Sequence, residues 1–107
     1  MDLIEAMRRE SGEDPALRDL VRKFDHQATE PDLDRVSAQV AYMLTTGHTV
    51  WGIEAEVPRV SLDVLTDGAE RLLEHHRAFV VKVEGTNSVL NGRNVAAIDI
   101  ICIDEPS

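Results

Sequence analysis

Four histidines, a single cysteine and two carboxylates that a hairpin would set face to face are the residues whose types could support catalysis or metal binding. His75 and His76 are adjacent, and successive side chains on a helix diverge by about 100°, so the two cannot share an ion as an i, i+4 pair could. His76, His48 and His26 fall where helices are expected to end, where a cation suits the helix dipole, and His75 reads as a surface residue. Cys102 sits in an apolar run without a basic neighbour, the setting of an inert small hydrophobe rather than a nucleophile. One cysteine permits neither an intrachain disulfide nor a zinc site with two thiolates. The chain has no GxGxxG and no GxxxxGK[ST] stretch for phosphate. It therefore reads as a non-enzyme, with no cofactor and no metal.

The stretch Asn87-Ser88-Val89-Leu90-Asn91-Gly92-Arg93-Asn94 lies between two apolar runs. Asn91-Gly92 is the strongest short signal for a type I′ hairpin turn, because both central positions of that turn need positive φ. A turn there would set Val83 opposite Ile100, Val81 opposite Cys102 and Glu84 opposite Asp99. The facing acids repel, and Lys82, diagonal to Asp99, offers a plain compensation. Asn87, Arg93 and Asn94 flank this turn and are the first candidates for contact with a partner. Arg71 and Trp51 complete the candidate set.

The elements that must position these residues follow from periodicity. Leu3, Ile4 and Met7 have helical spacing, and Ser11-Gly12 ends the pattern. Asp14-Pro15 supplies an N-cap followed by proline at the first helical position, and Leu17, Leu20, Val21 and Phe24 form one apolar stripe. Thr29 and Asp32 suggest a further start, and Leu33, Val36, Val40, Met43 and Leu44 continue at helical spacing until Gly47, which predicts a third helix over 31–46. From Trp51 the period changes to two, with Ile53, Ala55 and Val57 alternating with Gly52, Glu54 and Glu56, as expected of a strand ending at Pro58. The segment 61–66 fits strand and helix alike, whereas 68–77 reads as helix. The expected fold is α+β: one small domain of order αααβαββ, with its N-terminal helices on an antiparallel sheet and a long C-terminal hairpin. Residues 1–28 read as a helical segment for docking or oligomerisation, and residues 29–107 as the α+β core.

At 107 residues the chain suits one domain that buries about 65% of its unfolded surface. Its 20 acidic and 11 basic residues give a charge of −9 that no basic pole offsets. Such a surface disfavours nucleic acid and anionic membranes, both of which are bound by cationic patches. The N-terminus lacks the layout of a signal peptide, no apolar run is long enough to span a bilayer, and the lone thiol fits a reducing compartment, so the expected setting is the cytoplasm. Nine of the eleven basic residues are arginine, a composition that points to a bacterial or phage genome.

Two functional readings follow. The preferred one is a protein-binding or self-assembling domain, whose partner is a second copy or another protein. It rests on helical stripes that a small sheet does not fully cover and on strand edges that need pairing. The alternative is a winged-helix DNA-binding layout, with 33–46 as its first helix, Arg71 on the helix offered to DNA, and the 87–94 stretch as the wing.

Overall fold

The structure is a computed structural model that describes residues 2–52, 54–75, 79–83 and 86–103, with 79–83 and 86–88 described by their backbone. Two helices come first, and their ends lie where the capping residues place them. Helix α1 (Asp2–Glu10) buries Leu3, Ile4, Ala6 and Met7. Helix α2 (Pro15–Ala28) begins at Asp14, whose side chain accepts the Ala16 N–H at 3.1 Å. Its stripe of Leu17, Val21 and Phe24 turns inward.

The segment 31–46, expected as the third helix, is a strand. Thr29 closes α2, donating its N–H to the Asp25 carbonyl at 3.3 Å, and strand β1 (Arg35–Leu44) follows. Val36, Ala38, Val40 and Tyr42 alternate into the core, a period of two that overlies the helical spacing of Val36, Val40, Met43 and Leu44. Both patterns are present in the sequence, and the tertiary partners of β1 decide between them. Gly47 is not a helix terminus; at φ +94° it shapes the turn that returns the chain along β1.

The expected strand over 49–57 divides into β2 (Thr49–Trp51) and β3 (Ala55–Pro58). Both pair antiparallel with β1, and the register shifts by one residue between Trp51 opposite Ala41 and Ala55 opposite Ala38. Helix α3 (Ser61–Glu74) runs unbroken, which settles 61–66 as helix. Val64, Leu65, Ala69 and Leu72 face the core, and Ser61 donates its hydroxyl to Gln27 Oε1 at 2.7 Å, tying the start of α3 to the end of α2. Gly68 lets α1 and α3 approach: a Cβ there would collide with the end of the Met7 side chain.

The C-terminal third departs most from expectation. Strand β4 (Phe79–Val83) pairs antiparallel with β5 (Thr86–Leu90), Val83 lying opposite Thr86, so the partner of β4 precedes Asn91-Gly92 instead of following it. Asn91 has φ −73° and ψ 125°, outside the positive-φ region a type I′ turn needs. Its Oδ1 accepts the Arg93 N–H at 3.0 Å and opens a 3-10 turn, Gly92–Asn94. Strand β6 (Val95–Cys102) then leaves the β4–β5 pair and joins β1, with Ile100 opposite Val40, Asp99 opposite Ala41 and Cys102 opposite Ala38. The pairs expected between Val83 and Ile100 and between Val81 and Cys102 do not form, and the backbone of Lys82 pairs with Asn87. Glu84 and His76 lie outside the described residues.

The order is thus ααβββαβββ, with the short 3-10 turn before the last strand. Ala41 pairs with both Trp51 and Asp99, and Ala38 with both Ala55 and Cys102, so β6 occupies one flank of β1 and β2 with β3 the other. The domain is α+β, with three helices packed on an antiparallel sheet and a separate strand pair, β4–β5. The core is one cluster drawn from all three helices and from β1, β3 and β6. Among the described residues no helix is long and apolar enough to cross a membrane.

Candidate functional site

Arg71, on α3, donates from Nε to Asp14 Oδ2 at 2.9 Å. Asp14 is buried and caps α2, so this arginine is spent on holding two helices together. The Arg71 guanidinium keeps the Asp14 carboxyl below the usual carboxylate range, and the Ala16 N–H adds to the effect. Beside the pair lies an open groove of about 460 Å³ between α2 and α3, floored by Ala16 and Leu20. Asp19, Asp67, Glu70 and Glu74 line it with Lys23 and Arg71, so it repels the phosphates that the DNA-binding layout would have it meet. That layout also required a helix over 33–46, where β1 stands.

The histidines and the cysteine take separate places. His26 is exposed in the last turn of α2, 4.0 Å from Glu30 Oε1. His75 closes α3 by donating its N–H to the Arg71 carbonyl at 3.3 Å. His48 lies in the β1–β2 turn, not at a helix end, and its carbonyl accepts the Leu44 N–H at 2.8 Å. Cys102 is exposed near the end of β6 rather than buried against Val81. Among the described residues no three of the side chains His, Cys, Asp and Glu come together in a way that could hold a metal ion.

Trp51 is 47% exposed at the end of β2, on the sheet face opposite the helices. That face carries cross-strand rows. Trp51, Ala41 and Asp99 form one; Thr49, Met43 and Ala97 the next; Gln39 and Ile101 a third. Arg93 is exposed in the 3-10 turn, and Asn94 beside it accepts the Thr45 N–H at its carbonyl, 2.8 Å, which fastens the entry of β6 to the β1–β2 turn. The Asn87 backbone pairs with Lys82 in the two-stranded β4–β5 sheet, separate from the sheet of β1, and its side chain is outside those described. Arg71 belongs to the helical layer and Trp51 to the opposite sheet face, so the five sequence candidates form no single site.

The feature that sequence reasoning missed is the outer edge of β6. Ile103 donates its N–H to the Ser37 carbonyl at 2.7 Å, so the odd-numbered residues of this ladder turn their main-chain groups toward β1. In an antiparallel pair the alternate residues do the opposite. The amide and carbonyl of Ile98 and Ile100 therefore point away from β1, and among the described residues no strand pairs with β6 on that side. Their side chains pack against the core from its margin, while Ile101 and Ile103, each 37% exposed, lie on the flanking surface. An edge of this kind is a template for a further strand. The run Val95–Ile103 holds one charged residue, Asp99, and that composition could have marked it.

The chain is a small α+β domain with an apolar sheet edge that no strand covers among the described residues. Comparison with protein-family models, with curated proteins and with solved structures gave no match for the chain.

Proposed function

We propose that this domain is a non-catalytic protein-binding module that receives an extended strand of a partner along β6, the partner being another protein or a second copy of the chain. The observation that carries the reading is the outward direction of the Ile98 and Ile100 main-chain groups along an unbroken strand whose side chains are almost wholly apolar. Main-chain hydrogen bonds to those groups would supply affinity, and the alternating side chains Ile98 and Ile100 on one face and Ala97, Asp99 and Ile101 on the other would supply selectivity. Arg93 and Asn94, at the start of β6, border this edge; Trp51 lies on β2, beyond β1 from it, and Asn87 and Arg71 have no part in it. The single, exposed cysteine suits a reducing cytoplasm, where it stays a thiol.

The test uses proline at a chosen phase. In Ile100→Pro the lost N–H is one that points outward, so the ladder to β1 survives while strand addition is blocked. Nine-residue peptides selected from a random displayed library on the wild-type protein should lose binding to Ile100→Pro and keep it with Ile100→Thr, which retains the N–H. Peptides that bind Ile100→Pro as well as wild type would show that another surface is used and would end this reading.

A further inference from the structure

We infer that the strand received by β6 comes from another protein and carries a lysine or arginine opposite Asp99. This rests on the reading of β6 as a receiving edge and adds the chemistry of what it receives. Asp99 is exposed at the middle of β6, on the sheet face that the helices leave uncovered. Its cross-strand neighbour on β1 is Ala41 and its diagonal neighbours there are Gln39 and Met43, so β1 places no cation within reach on that side. A residue directly opposite on an added strand would have its Cβ about 5 Å away, where an opposite charge stabilises the pair and a like charge destabilises it.

A second copy of the chain is the wrong occupant by the same rule. The antiparallel register that sets the outward groups of Ile98 and Ile100 of two β6 strands on each other places Asp99 against Asp99, and sliding by two residues in either direction leaves the two acids diagonal to each other. Each chain also brings a charge of −9, which opposes association over longer range. A single charge in the middle of an otherwise apolar edge is a recognised guard against self-pairing. Asp99 thus acts twice on one edge: it turns away a second copy and selects a cation.

Two nine-residue peptides of alternating threonine and valine test this, one with a central lysine in place of threonine and one with a central glutamate. Each is titrated into the full-length protein while the amide resonances of Ile98 and Ile100 are followed. The lysine peptide should bind wild type about five-fold more tightly than the glutamate peptide, the equivalent of about 1 kcal/mol for one cross-strand charge pair, and Asp99→Lys should reverse the order. Light scattering of the wild type should return 11.9 kDa at micromolar concentration, and Asp99→Val should raise the mass with concentration. If both peptides shift those amides with equal affinity, or the order fails to reverse, the charge inference is overturned while the edge reading stands. If neither peptide moves the two amides, both fall. A wild-type dimer that Asp99→Asn leaves unchanged would establish the second copy as the occupant and refute the inference.

Discussion

The two flanks of β1 are built from strands of the same sheet, yet they end in opposite ways. On one flank β2 ends at Trp51, β3 starts at Ala55 with the register shifted by a residue, and the edge finishes in Pro58 after a strand of four residues that includes Glu56. Short strands, a break, proline and charge are the devices by which proteins keep an edge from pairing again. On the other flank β6 runs for eight residues with no proline and no glycine, and Asp99 is its one charge. Such unequal treatment of two edges in one small domain is what the proposed strand-receiving role of β6 calls for.

The largest effect that could break this comparison lies within β6 itself. Ile101→Pro deletes an N–H directed at β1 opposite Gln39 and should cost about 3 kcal/mol, whereas Ile100→Pro should cost about 1 kcal/mol, mostly from lost packing. Chemical denaturation of the two variants measures the difference, and equal losses would mean that β6 has no open side. Next comes a change remote from either edge. Asp14→Ala removes a helix cap and the partner of Arg71 and should cost about 1–2 kcal/mol at neutral pH, without altering peptide binding at β6.

That cost should also depend on pH in a defined direction. The Asp14 carboxyl is held below its ordinary value, so its stabilisation is fully present above about pH 4 and is lost as the pH falls through the lowered folded-state value. The gap between wild type and Asp14→Ala should therefore narrow on acidification in thermal melts. Asp25, paired with Arg8, is lowered in the same direction, so the wild type should lose stability in acid by more than one route.

Smaller effects sharpen the contrast between the flanks. Glu56→Val on β3 should change stability by about 0.5 kcal/mol or less and leave the protein monomeric by light scattering, because the broken register offers too short an edge. The corresponding change on β6, Asp99→Val, should leave stability similar but induce association. Arg93→Ala, in the exposed turn before β6, should be the weakest, within about 0.5 kcal/mol in the same denaturation assay.

The α+β class and three of the helical segments were legible because their signals are local. Asp14-Pro15 is a cap and a first helical residue wherever the chain goes, and Leu17, Val21 and Phe24 need no distant partner to define a stripe. Residues 35–44 were not legible for a physical reason. Val36, Val40, Met43 and Leu44 satisfy the helical period while Val36, Ala38, Val40, Tyr42 and Leu44 satisfy the strand period, and β6 with β2 and β3 on its two flanks supplies the contacts that select strand. The hairpin failed for a related reason. Asn91-Gly92 favours a tight turn, but β6 gains a long ladder with β1 that pairing to β4 would forfeit, and Asn91 serves instead as the cap of a 3-10 turn. The candidate site inherited that error. The Asn91-Gly92 signal groups Asn87, Arg93 and Asn94 around one tip, whereas Asn87 belongs to the β4–β5 pair and the other two to the entry of β6.

Residue-resolved amide hydrogen exchange on the isolated protein at low concentration tests the central claim most directly. Asp99 and Ile101, whose N–H groups turn to β1, should be protected, while Ile98 and Ile100 exchange at rates near those of an open strand, giving an alternation along β6. Protection of Ile98 and Ile100 equal to that of their neighbours, with the protein at 11.9 kDa, would mean that this edge is already satisfied within the chain and would contradict the account.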